Sequence, residues 1–115
     1  MTQKIRIRDL SGTWAIRAAG AVIAETQSAL EVIEGQSSPV IYFPRDDIAM
    51  AFLDYTQKIT HCPQTGDARY FSIITKNKPI ENIAWSYETP AKEMLRIKQH
   101  LAFHPNEKIT IEHLE

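Results

Sequence analysis

Residues 89–105 read Thr89-Pro90-Ala91-Lys92-Glu93-Met94-Leu95-Arg96-Ile97-Lys98-Gln99-His100-Leu101-Ala102-Phe103-His104-Pro105. Threonine before proline is a helix start, because the threonine hydroxyl caps free N–H groups and proline at the first helical position lacks an N–H that would have no partner. Ala91, Met94, Leu95, Leu101 and Ala102 recur near helical spacing with Ile97 at the edge, while Lys92, Glu93, Arg96, Lys98 and Gln99 cover the outer face. The spacing predicts one longer C-terminal helix, ended by His104-Pro105. Within it His100 and His104 stand at i and i+4, a metal-ligand spacing, but Pro105 pulls His104 from helical geometry and no acidic residue lies between them.

Upstream the dominant period is two. Lys4 to Leu10 alternates apolar and polar residues and ends at Ser11-Gly12. Trp14–Ala18 and Ala21–Glu25 flank Ala19-Gly20, a β-hairpin spacing whose turn needs positive φ. Leu30–Ile33 and Val40–Phe43 form the next pair of strands, and Arg69–Thr75 and Ile80–Tyr87 a third, with the look of central strands. Ile109 and Ile111 suggest a last strand. Pro44 opens a short helix carrying Asp46 and Asp47 in its first turn and reaching Gln57, and Ile59 to Asp67 is assigned to a structured loop. The fold class expected is α+β: mainly β, built of antiparallel sheets, with the one longer helix at the C-terminal side.

Composition sets the bounds. A chain of 115 residues with 43% apolar and 23% charged residues matches one globular domain, residues 1–115, with a single core. Thirteen basic and 14 acidic residues leave a net charge of -1, which supplies no general field for a phosphate backbone, so no nucleic-acid partner is expected. Met1 to Arg8 is polar where a secretory signal would be apolar, and no run approaches the roughly 20 apolar residues that cross a bilayer. The expectation is a cytoplasmic protein without a membrane partner. Cys62 is the sole cysteine, which excludes an internal disulfide or a four-thiolate zinc site.

Three segments read together are distinctive: Tyr42-Phe43-Pro44-Arg45-Asp46-Asp47-Ile48; Thr60-His61-Cys62-Pro63 with Gly66-Asp67-Ala68 and Tyr70; and Ala84-Trp85-Ser86-Tyr87 with Pro90. With the ending Leu101-Ala102-Phe103-His104-Pro105, they resemble the family known as domain of unknown function 427, which also carries a nucleotidyltransferase-like label. The resemblance implies a fold of the Mss4-like or β-tent kind, in which bent antiparallel sheets enclose a pocket, and it implies no established reaction. Relatives of that wider fold group hold zinc between two Cys-x-x-Cys pairs, and this chain has neither. Family members commonly place an aromatic residue and a lysine after His-Cys-Pro, where this chain has Gln64-Thr65. Two-metal phosphoryl transfer would need converging carboxylates and a Gly-rich phosphate loop. Asp46 and Asp47 are adjacent and diverge by about 100 degrees on a helix, so the label gains no support from these residues.

The candidate site gathers around His61 to Tyr70. His61 suits a base near neutral pH, Cys62 a nucleophile if its thiol ionises, and Asp67 and Tyr70 complete a catalytic set. Each has a plainer role: adjacent residues on an extended backbone point to opposite sides, which separates His61 from Cys62; a lone cysteine is usually packed; and Asp67 after Gly66 suits a turn. Arg45 could clamp a carboxylate or phosphate, or pair with Asp67 or Asp46 and fix a loop. Trp85 and Tyr87 share one strand face and either wall a pocket or pack in the core. Arg45, Cys62, Trp85 and Tyr87 are thus the ligand-binding candidates.

Two readings follow. In the first the chain binds a small molecule, anionic if Arg45 meets it, in a polar and aromatic pocket, with catalysis left open. In the second it is a non-catalytic interaction or oligomerisation module, including a homo-oligomer, using exposed strand edges or the Trp85 face. No cofactor and no metal are expected.

Overall fold

The computed structural model describes residues 4–63 and 65–115. Gln64, half of the departure from the family's aromatic-lysine pair, lies outside the described residues. The strands are β1 (Ile5–Asp9), β2 (Trp14–Ala18), β3 (Ala21–Thr26), β4 (Leu30–Glu34), β5 (Val40–Pro44), β6 (Leu53–Cys62), β7 (Gly66–Ile73), β8 (Ile80–Tyr87), β9 (His100–Phe103) and β10 (Ile109–His113). They form a seven-stranded sheet in the order β1-β4-β5-β9-β8-β7-β6 and a three-stranded sheet in the order β10-β2-β3, with every pairing antiparallel.

Alternation along the strands sorts side chains onto the two faces of the large sheet. Phe43, Phe71, Ala84, Leu101 and Phe103 point to the face covered by the small sheet and meet Ile16, Ala18, Ile23 and Ile109 there. We call this the inner face. Phe43 and Phe103 pack edge to face with centroids 6.3 Å apart. Each such buried side chain contributes about 1.5–3 kcal/mol over an exposed one, which makes this layer the principal core. On the opposite, outer face Leu30, Val32, Tyr42 and Ala102 are covered by Met94 and Ile97. Trp85 and Tyr87 of β8 pack against the edge of this cluster and, like Tyr70 of β7, are half-buried.

The expected C-terminal helix is absent, and this corrects the fold class. Among the described residues no helix reaches seven residues, and the protein is mainly β. Lys92–Ile97 is one short 3₁₀ helix, burying Met94 and Ile97, and His100–Phe103 is a strand between β5 and β8. Between them Gln99 takes φ 68°, a left-handed conformation that no α-helix admits. The physical reason lies in Leu101-Ala102-Phe103. All three side chains are buried, Leu101 and Phe103 on the inner face and Ala102 on the outer, as in a strand covered on both sides. A helix could bury them only on one stripe.

The helix expected after Pro44 is likewise replaced by two 3₁₀ turns, Arg45–Asp47 and Met50–Phe52. Chain assigned to helix and loop becomes the ten-residue strand β6, which pairs with β7 through Thr60↔Ala68, His61↔Asp67 and Cys62↔Gly66. Its polar composition fits an edge strand, where alternation is weak because one side faces solvent. The other expected strands stand within a residue or a few of their reading. Ala19 and Gly20 both adopt positive φ, 51° and 78°, in the tight turn of the β2–β3 hairpin.

Candidate functional site

The register across β9, β8 and β7 aligns Ala102↔Trp85 and Trp85↔Tyr70 on the outer face. Trp85 is half-buried there, packed against the cluster that contains Ala102. Tyr70 lies beside it with ring centroids 6.4 Å apart, and Tyr42 meets it edge-on at 6.3 Å. The indole N–H donates to the Tyr42 hydroxyl at 3.2 Å, which fixes the ring without burying it. His104, one residue past β9, lies against the indole at 4.3 Å with 38° between the planes. The ammonium of Lys58 sits 4.6 Å over the ring of Tyr70, held there by the bulge of β6 between Tyr55 and Ile59.

The charges on this surface are ordered. Burial and the positive charge of Lys58 push the His104 imidazole below the usual histidine range, so it is neutral at pH 7. Burial raises both the Tyr42 and the Tyr87 phenol, with a smaller contribution to each from Glu34. Both hydroxyls therefore stay protonated. Lys58 marks the β6 side as positive, and Glu34, at the end of β4, the far side as negative. The outer face of β7–β9 thus offers ring faces, phenol O–H groups and one ammonium.

Arg45 lies on the other side of the sheet. Its guanidinium donates to Ser86 Oγ at 3.2 Å and to Glu88 Oε2 at 3.1 Å, and stands 5.7 Å from the Phe71 centroid. Phe71 and Ser86 alternate with Tyr70 and Trp85, so Arg45 is separated from the outer-face aromatics by the thickness of the sheet. Glu88 also accepts from the Tyr55 hydroxyl at 2.9 Å, and Arg69 lies 4.4 Å over the Tyr55 ring. One guanidinium nitrogen, Nη2, makes both of these bonds, while the buried Nε has no hydrogen-bond partner among the described residues.

His61 Nδ1 pairs with Asp67 Oδ1 at 2.5 Å across the β6–β7 hairpin, and both side chains are exposed. Asp67 is four residues from Phe71, roughly 13 Å along the strand, so the pair stands apart from Arg45 even though it shares the inner-face alternation. Cys62, half-buried beside Gly66, alternates to the outer face with Tyr70 and lies near Tyr87. The sequence candidates therefore divide: Cys62, Tyr70, Trp85 and Tyr87 are on the outer face, Arg45 is in an inner-face ion pair, and His61 with Asp67 is at the hairpin end. They do not meet in a single hollow.

A sequence profile described as Domain of unknown function (DUF427) matches residues 6–114. The chain belongs to this family. The match spans β1 to β10 and so covers both sheets. No curated protein matches the chain. Family membership brings no substrate with it, and the geometry alone ranks the candidate surfaces.

Sequence reasoning missed Lys58, His104, Tyr42 and Glu34. Lys58 was hidden because the β6 bulge shifts alternation, and His104 because it was read as a helix end. The strand order β4-β5-β9-β8-β7-β6 carries the information that unites them, and pairing order is not a local property. Among the described residues no three His, Cys, Asp or Glu side chains gather as a metal site, and no helix is long and apolar enough to cross a membrane.

Proposed function

We propose that this protein binds a small ring-bearing anion on the outer face of β7–β9, with Trp85 as the stacking platform and Lys58 as the charge partner. The observation that carries the reading is a half-buried indole inside a sheet, flanked by the Tyr70 and His104 rings, with an ammonium over Tyr70. An indole held by a hydrogen bond loses little freedom on stacking, and a planar ligand would displace water from the exposed parts of these rings. Tyr70, Tyr87 and Thr60, whose hydroxyl meets that of Tyr70 at 3.3 Å, supply polar contacts to the ligand's edge. Ring faces, phenol O–H groups and an ammonium are groups that hold a ligand, so binding is the activity this face supports best.

Trp85 fluorescence, read in a Trp14→Phe background, tests this with phenyl phosphate, indole-3-carboxylate and a nucleoside monophosphate as probes. Saturable quenching by at least one probe, lost in Lys58→Glu, is expected; no quenching by any of them removes the reading.

A second reading has its own observation. Strand β6 ends the large sheet and exposes Ile59 and Tyr55 at 59% and 50%, so a second copy could add a strand there. The bulge and the neighbouring Lys58 blunt that edge, which makes the module reading the weaker one. A monomer by light scattering at high concentration would remove it.

A further inference from the structure

A separate cavity of about 510 Å³ opens between the β2–β3 hairpin and the end of β7, away from the aromatic face. Its floor is Ala18, Ile23 and Ile73, all buried, and its rim is Phe52 and Ile74, exposed at 49% and 44%. The Ile74 N–H donates to the Phe52 carbonyl at 2.8 Å, so the two rim residues are tied together by backbone. Large apolar side chains exposed around an apolar hollow cost solvation energy that a bound apolar group would recover. The volume falls within the roughly 300–1,000 Å³ of small-molecule sites.

The polar end of the hollow is basic. Lys76, Thr75 and Asn77 line it, and Ala19, Thr75 and Asn77 are shared with an adjoining cavity of about 610 Å³ lined by Lys78, Lys108 and Glu107. Three ammonium groups against one carboxylate complement a negative head group at the point where the apolar lining ends. Thr75 Oγ1 donates to the Lys78 carbonyl at 2.7 Å and accepts from the Asn77 N–H at 3.1 Å, which shapes the turn carrying Lys76 and Lys78.

We infer that these joined cavities bind an amphipathic carboxylate, its apolar body on Ile23, Ile73 and Phe52 and its head group among Lys76, Lys78 and Lys108. Decanoate and decanol, kept below their micelle or solubility limits, are the probes, followed by methyl NMR of the isoleucines. Decanoate shifts the Ile23, Ile73 and Ile74 methyls saturably, and decanol shifts the same methyls more weakly. Lys76→Glu combined with Lys78→Glu lowers decanoate affinity about tenfold, as loss of a charged contact does, while decanol affinity stays constant. Ala21→Phe, at an exposed hairpin position lining the hollow, blocks both probes and leaves the dispersion of the other methyls native. Absence of saturable shifts at these isoleucines, unchanged binding in Ala21→Phe, or equal weakening of decanol by the double lysine change overturns the inference. None of these outcomes bears on Trp85, whose quenching is a separate readout.

Discussion

The imidazole of His104 lies against the indole of Trp85 with centroids 4.3 Å apart, although His104 follows β9 and Trp85 is inside β8. The contact exists because β9 runs between β5 and β8, so that the residue following it, His104, emerges beside the indole. It joins the fold correction to the proposed site, since the same residues in a helix could not line this face.

Gln99→Gly distinguishes strand from helix by the sign of its effect. At φ 68° glutamine is strained, and glycine relieves that strain by roughly 1 kcal/mol, raising Tm by several degrees. In a helix interior the same change would lower stability by a similar amount. Thermal unfolding of the two proteins decides between them.

Trp85→Ala removes a half-buried indole and its hydrogen bond to Tyr42, and an unfolding titration is expected to show a loss of about 2–3 kcal/mol. Trp85→Phe retains a ring and loses about 1 kcal/mol, with probe binding weakened and not abolished.

Arg45→Met leaves the Ser86 hydroxyl, fully buried, without its guanidinium donor and leaves Glu88 with Tyr55. A stability loss of about 2 kcal/mol is expected. Ring-anion quenching of Trp85 stays as in the parent, because the sheet stands between the two groups. Loss of binding with native stability would place the ligand on the inner face instead.

His104 makes stability depend on pH in a stated direction. Its folded-state pKa is lowered from 6.5, so between the two values the unfolded chain binds more protons and stability rises with pH. The contribution is complete above 6.5 and is lost as pH falls through the folded value. Wild type therefore loses more stability than His104→Gln on going from pH 7.5 to 5.5. Parallel unfolding curves of the two proteins across this pH range check the sign.

The antiparallel framework was legible in local sequence wherever one side of a strand is buried. Period two in β1 to β3, β8 and β10, and the Ala19-Gly20 turn, carry that signal. It failed at Leu101-Ala102-Phe103 because a strand buried on both faces shows no alternation, and Met94, Ile97 and Leu101 fall at spacings that also suit a helix. It failed again in β6, whose bulge breaks the period and whose edge position lowers its apolar content. For the site, the shared face of Trp85 and Tyr87 followed from strand geometry, and so did the separation of His61 from Cys62. Placing Arg45 with them did not survive, because Pro44-Arg45 and Trp85 approach from opposite sides of one sheet.

Amide and indole N–H spectra recorded during titration with phenyl phosphate locate the ligand residue by residue. The Trp85 indole N–H is expected to move saturably together with amides of Tyr70, Tyr87 and His104, while those of Arg45 and Asp67 stay in place. A Trp85 indole that stays in place while the Arg45 or Asp67 signals shift, or a titration in which nothing moves, rules out a ring-anion site on the outer face.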